Sequence, residues 1–524
     1  MAELRRRILW ADDEIEFLKP HILFLKDKGY DVTPVSNGRD AVEKVRTEAF
    51  EAVLLDEMMP GMGGLETLDL LKQISPGLPV ILVTKSEEEQ LMEDAIGRRI
   101  SGYLIKPVNP TQIQLELKRV LEGGKLEDRR LTRDFVAELT RIRTTEVGGL
   151  DWRGWMQLYR RIVEWELELE SLRDRSLADA LAEQKRSFNL EFGRYVEQHY
   201  GRWVRDKANP DRPVLSVDVV GRVVVPRLLE GRQVALLVID CLRLDQWLAL
   251  EKLLEPHFDI KCEEYYSILP TATPYSRNAL FSGLTPLEMH RQFPEHWSES
   301  EGDEGSKNRH ERFFLEQHLG RLGVPDAGNL KYFKVYTAEE GMSVRRQVGG
   351  MRKLPLVAMV YNFVDTFSHG RSEVEILQEF VPDEAAFRAH VATWFNHSSL
   401  FDTLRQLAVQ DVTVVVTTDH GSILAKRSAL VKANRETSTS LRYKYGNNLV
   451  CDDRQSMHIK NPAECMLPDT GLNKHYLMAK EDFYFVYRNR FHEYERQYRG
   501  SFQHGGISME EMILPLAVLE PRKA

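Results

Sequence analysis

Apolar and polar positions follow two rhythms along residues 1–122. Short apolar runs of strand length ("RILWADDE", "DVTPVS", "EAVLLDEMMPGM", "LPVILVTKS", "GYLIKPV") alternate with "KPHILFLKDKGY" and "DAVEKVRTEAF", which read as helices. Strands alternating with helices predict βαβ units and a parallel sheet. From 123 to 206 the pattern is helical. It opens on the charged "EGGKLEDRR", and then Trp155, Leu158, Ile162, Trp165, Leu169 and Leu172 recur at spacings of three and four. Such a stripe is either the core face of a small bundle or a seam between two copies. The turn-rich "DKANPDRP" opens a third segment, 207–524, where strand-like "VALLVID", "LVAMVYNFVD" and "VTVVVTTD" are separated by helical stretches such as "AAFRAHVATWFNHSSLFDTLRQLA". The expectation is a second, larger α/β domain. Residues 295–312, "EHWSESEGDEGSKNRHER", are expected to form a surface loop or a mobile insert.

Composition sets limits on this picture. The chain has 524 residues, 42% apolar and 29% charged, which gives ample core for several domains. The net charge of −9 argues against a broadly basic nucleic-acid surface, and no basic helix-turn-helix pattern is present, so sequence-specific DNA binding is not expected. Cys241, Cys262, Cys451 and Cys465 lie far apart without a CxxC pair, as in a reducing compartment and without a cysteine-based zinc site. The charged N-terminus has no signal-peptide pattern and no apolar run is long enough to span a bilayer, so a cytoplasmic location is expected.

In a parallel α/β sheet, functional groups gather at the carboxyl ends of strands. In the first segment those ends carry Asp12 and Asp13, Asp56, Thr84 and Lys106. Three neighbouring carboxylates repel one another unless neutralised, and Mg²⁺ does this with oxygen ligands. An ammonium supplies positive charge beside a transferred phosphoryl group. Together these parts describe a site where Asp56 attacks a phosphoryl donor and becomes an acyl phosphate. The Asp-Asp pair, "LLDEMMPGMGG", Thr84 and Lys106–Pro107 resemble a two-component receiver domain almost end to end. The resemblance implies a doubly wound, flavodoxin-like fold and a sensor histidine kinase as partner. It makes Asp56 the phospho-acceptor, Asp12 and Asp13 the Mg²⁺ partners, and Tyr103 the aromatic switch position. Lys85 departs from the family, which usually has a small residue there.

In the third segment three apolar runs stop at Asp240, Asp365 and Asp419. His369 lies four residues after Asp365, one helical turn on the same face; His420 follows Asp419; His504 sits in "SFQHGGIS" before the run "MILPLAVL". Asp and His without Cys suit zinc or another first-row divalent ion in a water-accessible catalytic site. Six such ligands exceed the needs of one ion, and two ions would clamp both oxygens of a phosphoryl transfer. "LPTATPYSRNALFSG" offers Thr271, Thr273 and Ser276 as hydroxyl nucleophiles, with Arg277 following. The glycines after His420 and His504 would let backbone pass close to a crowded site.

This pattern resembles the alkaline phosphatase superfamily, and within it the PglZ branch, over roughly residues 210–520. The resemblance implies one zinc held by Asp365, His369 and His504, and a second held by Asp240, Asp419, His420 and the nucleophile. The distance back from Gly283 selects Thr273, with Thr271 as the alternative and Arg277 as an anion contact. His290, His296 and His310 are expected to be solvated, and His458 is placed at the surface. Lys426, Arg427, Lys432 and Arg435 either guide a polyanionic substrate or form a solvated helix face.

Receiver, helical middle and PglZ-like domain occur in this order in PorX-type response regulators of bacteria with type IX secretion. That resemblance implies a homodimer on phosphorylation and an output domain acting as a two-zinc phosphodiesterase or phosphatase on nucleotides or oligonucleotides. It also implies regulation of type IX secretion, with secretion-machinery components or sigma-factor regulators as partners. The competing reading is a non-catalytic adaptor with a structural zinc site.

Overall fold

The computed structural model describes residues 6–85, 100–143, 147–170, 175–297, 308–351, 353–373, 375–432, 440–469, 474–488 and 491–522. They form two compact units, 1–138 and 139–524. In the first unit, β1 (Arg6–Ala11), β2 (Tyr30–Val35), β3 (Ala52–Asp56), β4 (Val80–Thr84) and β5 (Gly102–Ile105) make one parallel sheet in the order β2-β1-β3-β4-β5. This is the flavodoxin-like order. Every residue of β3 and β4 is buried, as expected of central strands covered on both faces. Apolar residues of α1 (Lys19–Asp27) pack with one set of inward-facing strand residues, and those of α2 (Gly38–Thr47) and α3 (Gly64–Ile74) with the other.

A helix from Pro110 to Arg143 (α4) runs across the domain boundary expected at residue 122. Gly123 and Gly124 are its weak point, but a glycine costs a helix only about 1 kcal/mol, and the flanking Leu, Glu, Lys and Arg are good helix formers.

In the second unit, α5 (Trp152–Leu169) and α6 (Arg175–Arg205) continue the helical pattern. The Asp151 side chain caps α5 by accepting from the Gly154 amide. The stripe on α5 is used inside the chain: Trp155, Leu158, Ile162 and Leu169 are buried, and Trp155 meets Phe192 of α6 edge to face at 5.4 Å. It is therefore core and not a seam for a second copy; Leu172 lies outside the described residues. Phe192 in turn stacks on Tyr266, so these helices share a core with the domain that follows.

That domain is built on six strands: β6 (Val234–Ile239), β7 (Phe258–Tyr266), β8 (Leu330–Val335), β9 (Leu356–Tyr361), β10 (Thr413–Thr417) and β11 (Ile513–Pro521). Their order is β7-β11-β10-β6-β9-β8. The four from β10 to β8 are parallel, while β11 and β7 run antiparallel to their neighbours, so the sheet is mixed. Among the described residues no helix is long and apolar enough to cross a membrane.

A fully buried ion pair, Arg442–Glu511, ties the chain near residue 442 to the turn before β11, with Arg442 Nη2 2.5 Å from Glu511 Oε2. Removing one partner of such a pair strands the other charge, at a cost of about 3–5 kcal/mol. Arg442→Met is expected to lower stability by that amount in a denaturant titration followed by tryptophan fluorescence.

Candidate functional site

Each unit gathers its candidate residues at the carboxyl edge of its parallel strands. In the receiver unit, acidic oxygens of Asp12, Asp13 and Asp56 lie within 4.8 Å of one another. Lys106 Nζ stands 2.8 Å from Asp12 Oδ2 and 3.0 Å from Asp56 Oδ2. Asp12 and Asp56 are buried and Asp13 is exposed, so the cluster opens on one side. Burial pushes the Asp56 carboxyl up to about 6, against the pull of Lys106. Thr84 donates its hydroxyl to Glu57, a residue that sequence reasoning passed over although it follows Asp56 directly. Lys85 is exposed and pairs with Glu14 at 3.6 Å; Tyr103 is also exposed.

The folded receiver holds the Asp56 proton more tightly than the unfolded chain does. Ionising Asp56 therefore costs stability above pH 6, and the cost fades as pH falls towards 4. Without Mg²⁺, Asp56→Asn is expected to stabilise the receiver transition by ~1–3 kcal/mol at pH 7, shrinking steadily between pH 6 and pH 4 in thermal melts.

In the output domain three adjacent parallel strands deliver the acidic residues. Asp240 follows β6 and Asp419 follows β10 by two residues. Asp365 lies not on a strand end but in the first turn of a helix from Phe363 to Glu373 (α8), which puts His369 one turn beyond it. His504 arrives from the loop before β11. Thr273 is the first residue of a buried helix, Thr273–Ser282 (α7), with Pro274 in its first turn and Gly283 at φ +64° ending it.

These residues form two groups. In one, His369 Nε2, His504 Nε2 and Asp365 Oδ1 make a near-equilateral triangle with sides of 3.3, 3.4 and 3.4 Å. A tetrahedral cation with bonds of about 2.0–2.1 Å asks for ligand atoms about 3.3 Å apart. In the other, His420 Nε2 lies 3.6 Å from both Asp240 Oδ1 and Asp419 Oδ2 and 2.9 Å from Thr273 Oγ1. The His420 and His504 rings stack at 4.2 Å and join the groups. Asp240 Oδ1 and Asp419 Oδ2 are buried without a hydrogen bond, and Asp365 Oδ1 faces the two imidazoles. Burial pushes the Asp419 carboxyl well up, helped by Asp240, and pushes Asp240 up as well. Burial also works against Asp365, but the His369 and His504 imidazoles outweigh it and hold that carboxyl well below the usual range. Buried carboxylates of this kind fit two divalent cations, whose charge would remove the repulsion.

The His420 tautomer follows from its contacts. Nδ1 faces the Gly421 carbonyl at 3.1 Å, and a carbonyl can only accept. Nδ1 therefore carries the proton, and Nε2 turns its lone pair towards Thr273, Asp240 and Asp419. Burial holds this imidazole well below its usual value, so the ring stays neutral.

The two threonines differ. Thr271 is buried, donates to the Gly506 carbonyl at 2.8 Å and accepts from the Gly505 amide at 3.1 Å, so its hydroxyl is used up structurally. Thr273 is partly open and faces His420. Arg277, expected as an anion contact, is taken up by protein partners. It is buried and engaged by Asp240 Oδ2 at 2.6 Å, Glu311 Oε1 at 2.7 Å and Asn362 Oδ1 at 3.1 Å. It braces the outer oxygen of Asp240 and leaves Oδ1 for the cluster. Glu311 and Asn362 were not legible as site residues, although Asn362 lies just past β9.

Other expectations need correction. His296 and His310 are not simply solvated: His296 stacks on Phe313 at 4.1 Å and meets His310 edge to face. His458 pairs with His475 across two strands at 3.3 Å. The basic stretch holds a strand, Arg427–Val431, rather than a helix, and Arg427 is paired with Glu481 and Asp482. Arg435 and residues 298–307 lie outside the described residues.

Three family descriptions match the chain in succession. They are a response regulator receiver domain over 8–118, a PorX response regulator linker domain over 125–204, and a BREX system PglZ alkaline phosphatase-like domain over 219–519. Similar curated relatives include transcriptional regulatory protein ZraR of Klebsiella oxytoca, 34% identical over 25% of this chain and 30% of that protein. Another is the alkaline phosphatase synthesis transcriptional regulatory protein PhoP of Bacillus subtilis, 28% identical over 24% of this chain and 51% of that protein. The chain thus spans between about a third and about half of the length of these relatives. A solved CheY-like receiver domain protein from Methanospirillum hungatei is 28% identical, with 24% of this chain and 98% of that one covered at a TM-score of 0.23. The alkaline-phosphatase-like match takes in more than half of the chain, and with the receiver and linker matches before it, the chain belongs to the PglZ family in the arrangement of a PorX-type response regulator.

Proposed function

We propose that this response regulator is phosphorylated on Asp56 by a sensor histidine kinase and that its output domain is a two-zinc phosphodiesterase or phosphatase acting on nucleotides or oligonucleotides. The observation that carries the reading is the partly open Thr273 hydroxyl, 2.9 Å from the lone-pair nitrogen of a neutral His420 and beside two Asp–His groups. Asp365, His369 and His504 would hold one zinc, and Asp240, Asp419, His420 and Thr273 the other. When bound, the ions lower the pKa of a coordinated hydroxyl and stabilise charge on phosphoryl oxygens. Thr273 Oγ1 then bonds to phosphorus as the bond to the leaving alkoxide breaks. Water hydrolyses the phosphothreonine in a second displacement. Arg277 keeps Asp240 oriented, and the first-turn position puts Thr273 at the positive end of the α7 dipole, which favours an incoming phosphate.

In the receiver, Asp12 and Asp13 would hold Mg²⁺ while Lys106 and Thr84 meet the phosphoryl oxygens. The proposal includes pairing of two copies on phosphorylation, action in the cytoplasm and a role in type IX secretion through secretion-machinery or sigma-factor partners. The test is zinc content measured alongside hydrolysis of bis(p-nitrophenyl) phosphate and a short oligonucleotide. Two zinc per chain with turnover supports the reading. Zinc without turnover of any diester or monoester moves it to the adaptor.

A further inference from the structure

The helix α6 sends two polar side chains into a place that a helix core would fill with apolar ones. Asn189 is 3% exposed and Lys185 is 5% exposed. They are four residues apart and share one face. The Asn189 side chain is spent on the turn before β11: Oδ1 accepts from the Met509 amide at 2.8 Å, and Nδ2 donates to Glu510 Oε2 at 2.9 Å. Lys185 Nζ reaches the other oxygen of Glu510 at 3.4 Å, and also Glu166 at 2.7 Å and Glu384 at 3.2 Å.

That same turn anchors both loops that carry the stacked imidazoles. The Gly421 amide donates to the Glu511 carbonyl at 3.1 Å, and a Cβ on Gly421 would sit 1.9 Å from the Glu510 carbonyl oxygen, so only glycine fits against the turn. Glu511 Oε1 accepts from the Gly506 amide at 2.9 Å. Gly421 adjoins His420, and Gly506 is two residues past His504. From Asn189 to either imidazole the path is therefore one hydrogen bond to the turn, one from the turn to a glycine, and at most two residues of backbone.

We propose that Asn189, supported by Lys185, is a positioning residue that fixes the spacing of His420 and His504, and that through it the helical middle segment reaches the output site. The proposal rests on the reading that these imidazoles hold cations. An amide suits the role because it donates and accepts at once, which neither a carboxylate nor an apolar side chain does. A buried cluster of three carboxylates about one ammonium is no more stable than apolar packing of the same volume. What it adds here is register between α6 and the turn.

The test compares full-length wild type, Asn189→Ala, Asn189→Asp and Val348→Ala. Val348 is buried and lines the same small cavity as Val234, at the end of β6 away from Asp240, and serves as a control for general destabilisation. Amide hydrogen exchange is expected to quicken at least ~10-fold in segments 419–423 and 504–511 of both Asn189 variants, and Co²⁺ affinity by competition titration to fall ~10-fold, with a changed visible absorption spectrum. Val348→Ala should leave all three as in wild type. Pairing Asn189→Asp with Glu510→Gln reverses the direction of one hydrogen bond and should restore wild-type exchange, which also guards against misfolding of the alanine variant. Unchanged exchange in both Asn189 variants, or equal change in Val348→Ala, overturns the proposal. If the wild type binds no Co²⁺, the metal reading falls, and the exchange data still decide the positioning role.

Discussion

Thr273→Ala should reduce turnover of bis(p-nitrophenyl) phosphate by ~10³-fold or more, while Asp240, Asp419 and His420 remain to hold the second ion, so that metal content and melting temperature stay near those of wild type. Removing the nucleophile of a group that acts as a unit deletes most of the rate and leaves what orientation and electrostatics supply. Thr273 is partly open at the start of α7, and its hydroxyl faces the His420 ring, so alanine leaves no buried donor stranded. Thr271→Ala should behave in the opposite way. It removes an acceptor for the Gly505 amide and a donor to the Gly506 carbonyl in a fully buried place, at about 1–3 kcal/mol. Its main effect should be on the melt, with a smaller loss of rate as the His504 loop relaxes. Thr273→Ser, which keeps a hydroxyl in the same position, should retain a measurable part of the rate. Equal turnover in Thr273→Ala and wild type would remove Thr273 from the chemistry.

The contrast between the two threonines marks where the sequence stops being informative. The carboxylates were legible because strand ends are legible: a run such as "VTVVVTTD" declares both its strand and the Asp419 at its exit. The i, i+4 spacing of Asp365 and His369 survives because the local element is a helix, although the strand ends earlier, at Tyr361. Roles decided by long-range contacts were not legible. Nothing within ten residues of Arg277 announces that Asp240 and Glu311 will claim its guanidinium, and an arginine near a nucleophile reads as an anion contact until those partners are seen. The stripe from Trp155 illustrates the same limit, since periodicity identifies an apolar face but not what covers it. Phe192 of α6 and the helix Leu244–Leu254 cover it here. The boundary drawn near residue 122 lies between the receiver match, which ends at 118, and the linker match, which begins at 125, but the chain does not break there: two glycines and a charge run look like a loop, and strong helix formers carry the helix through them.

Stripping divalent metal with a chelator should destabilise the 139–524 unit and abolish turnover together, and added zinc should restore both. Bound at 1,000 times its dissociation constant, a ligand stabilises by about 4 kcal/mol. The unit has 524 − 138 = 386 residues, so at about 2.1 cal/mol/K per residue the melting temperature should move by roughly 5 °C. The effect should also depend on pH, with a definite sign. Burial raises Asp240 and Asp419 in the metal-free fold, so that fold binds protons more tightly than the unfolded chain. Its stability falls as pH rises above the ordinary carboxylate range. The loaded protein needs the same groups ionised and does not share that loss, so the gain from metal should be larger at pH 8 than at pH 6. Asp419→Asn separates metal binding from simple packing. It removes one of the repelling buried carboxylates and should melt above the chelated wild type, yet gain little when zinc is returned. A melt that chelation leaves unchanged at both pH values would overturn the two-cation reading, because Asp240, Asp365 and Asp419 would then be tolerated with no positive charge beyond that of Arg277 and the imidazoles.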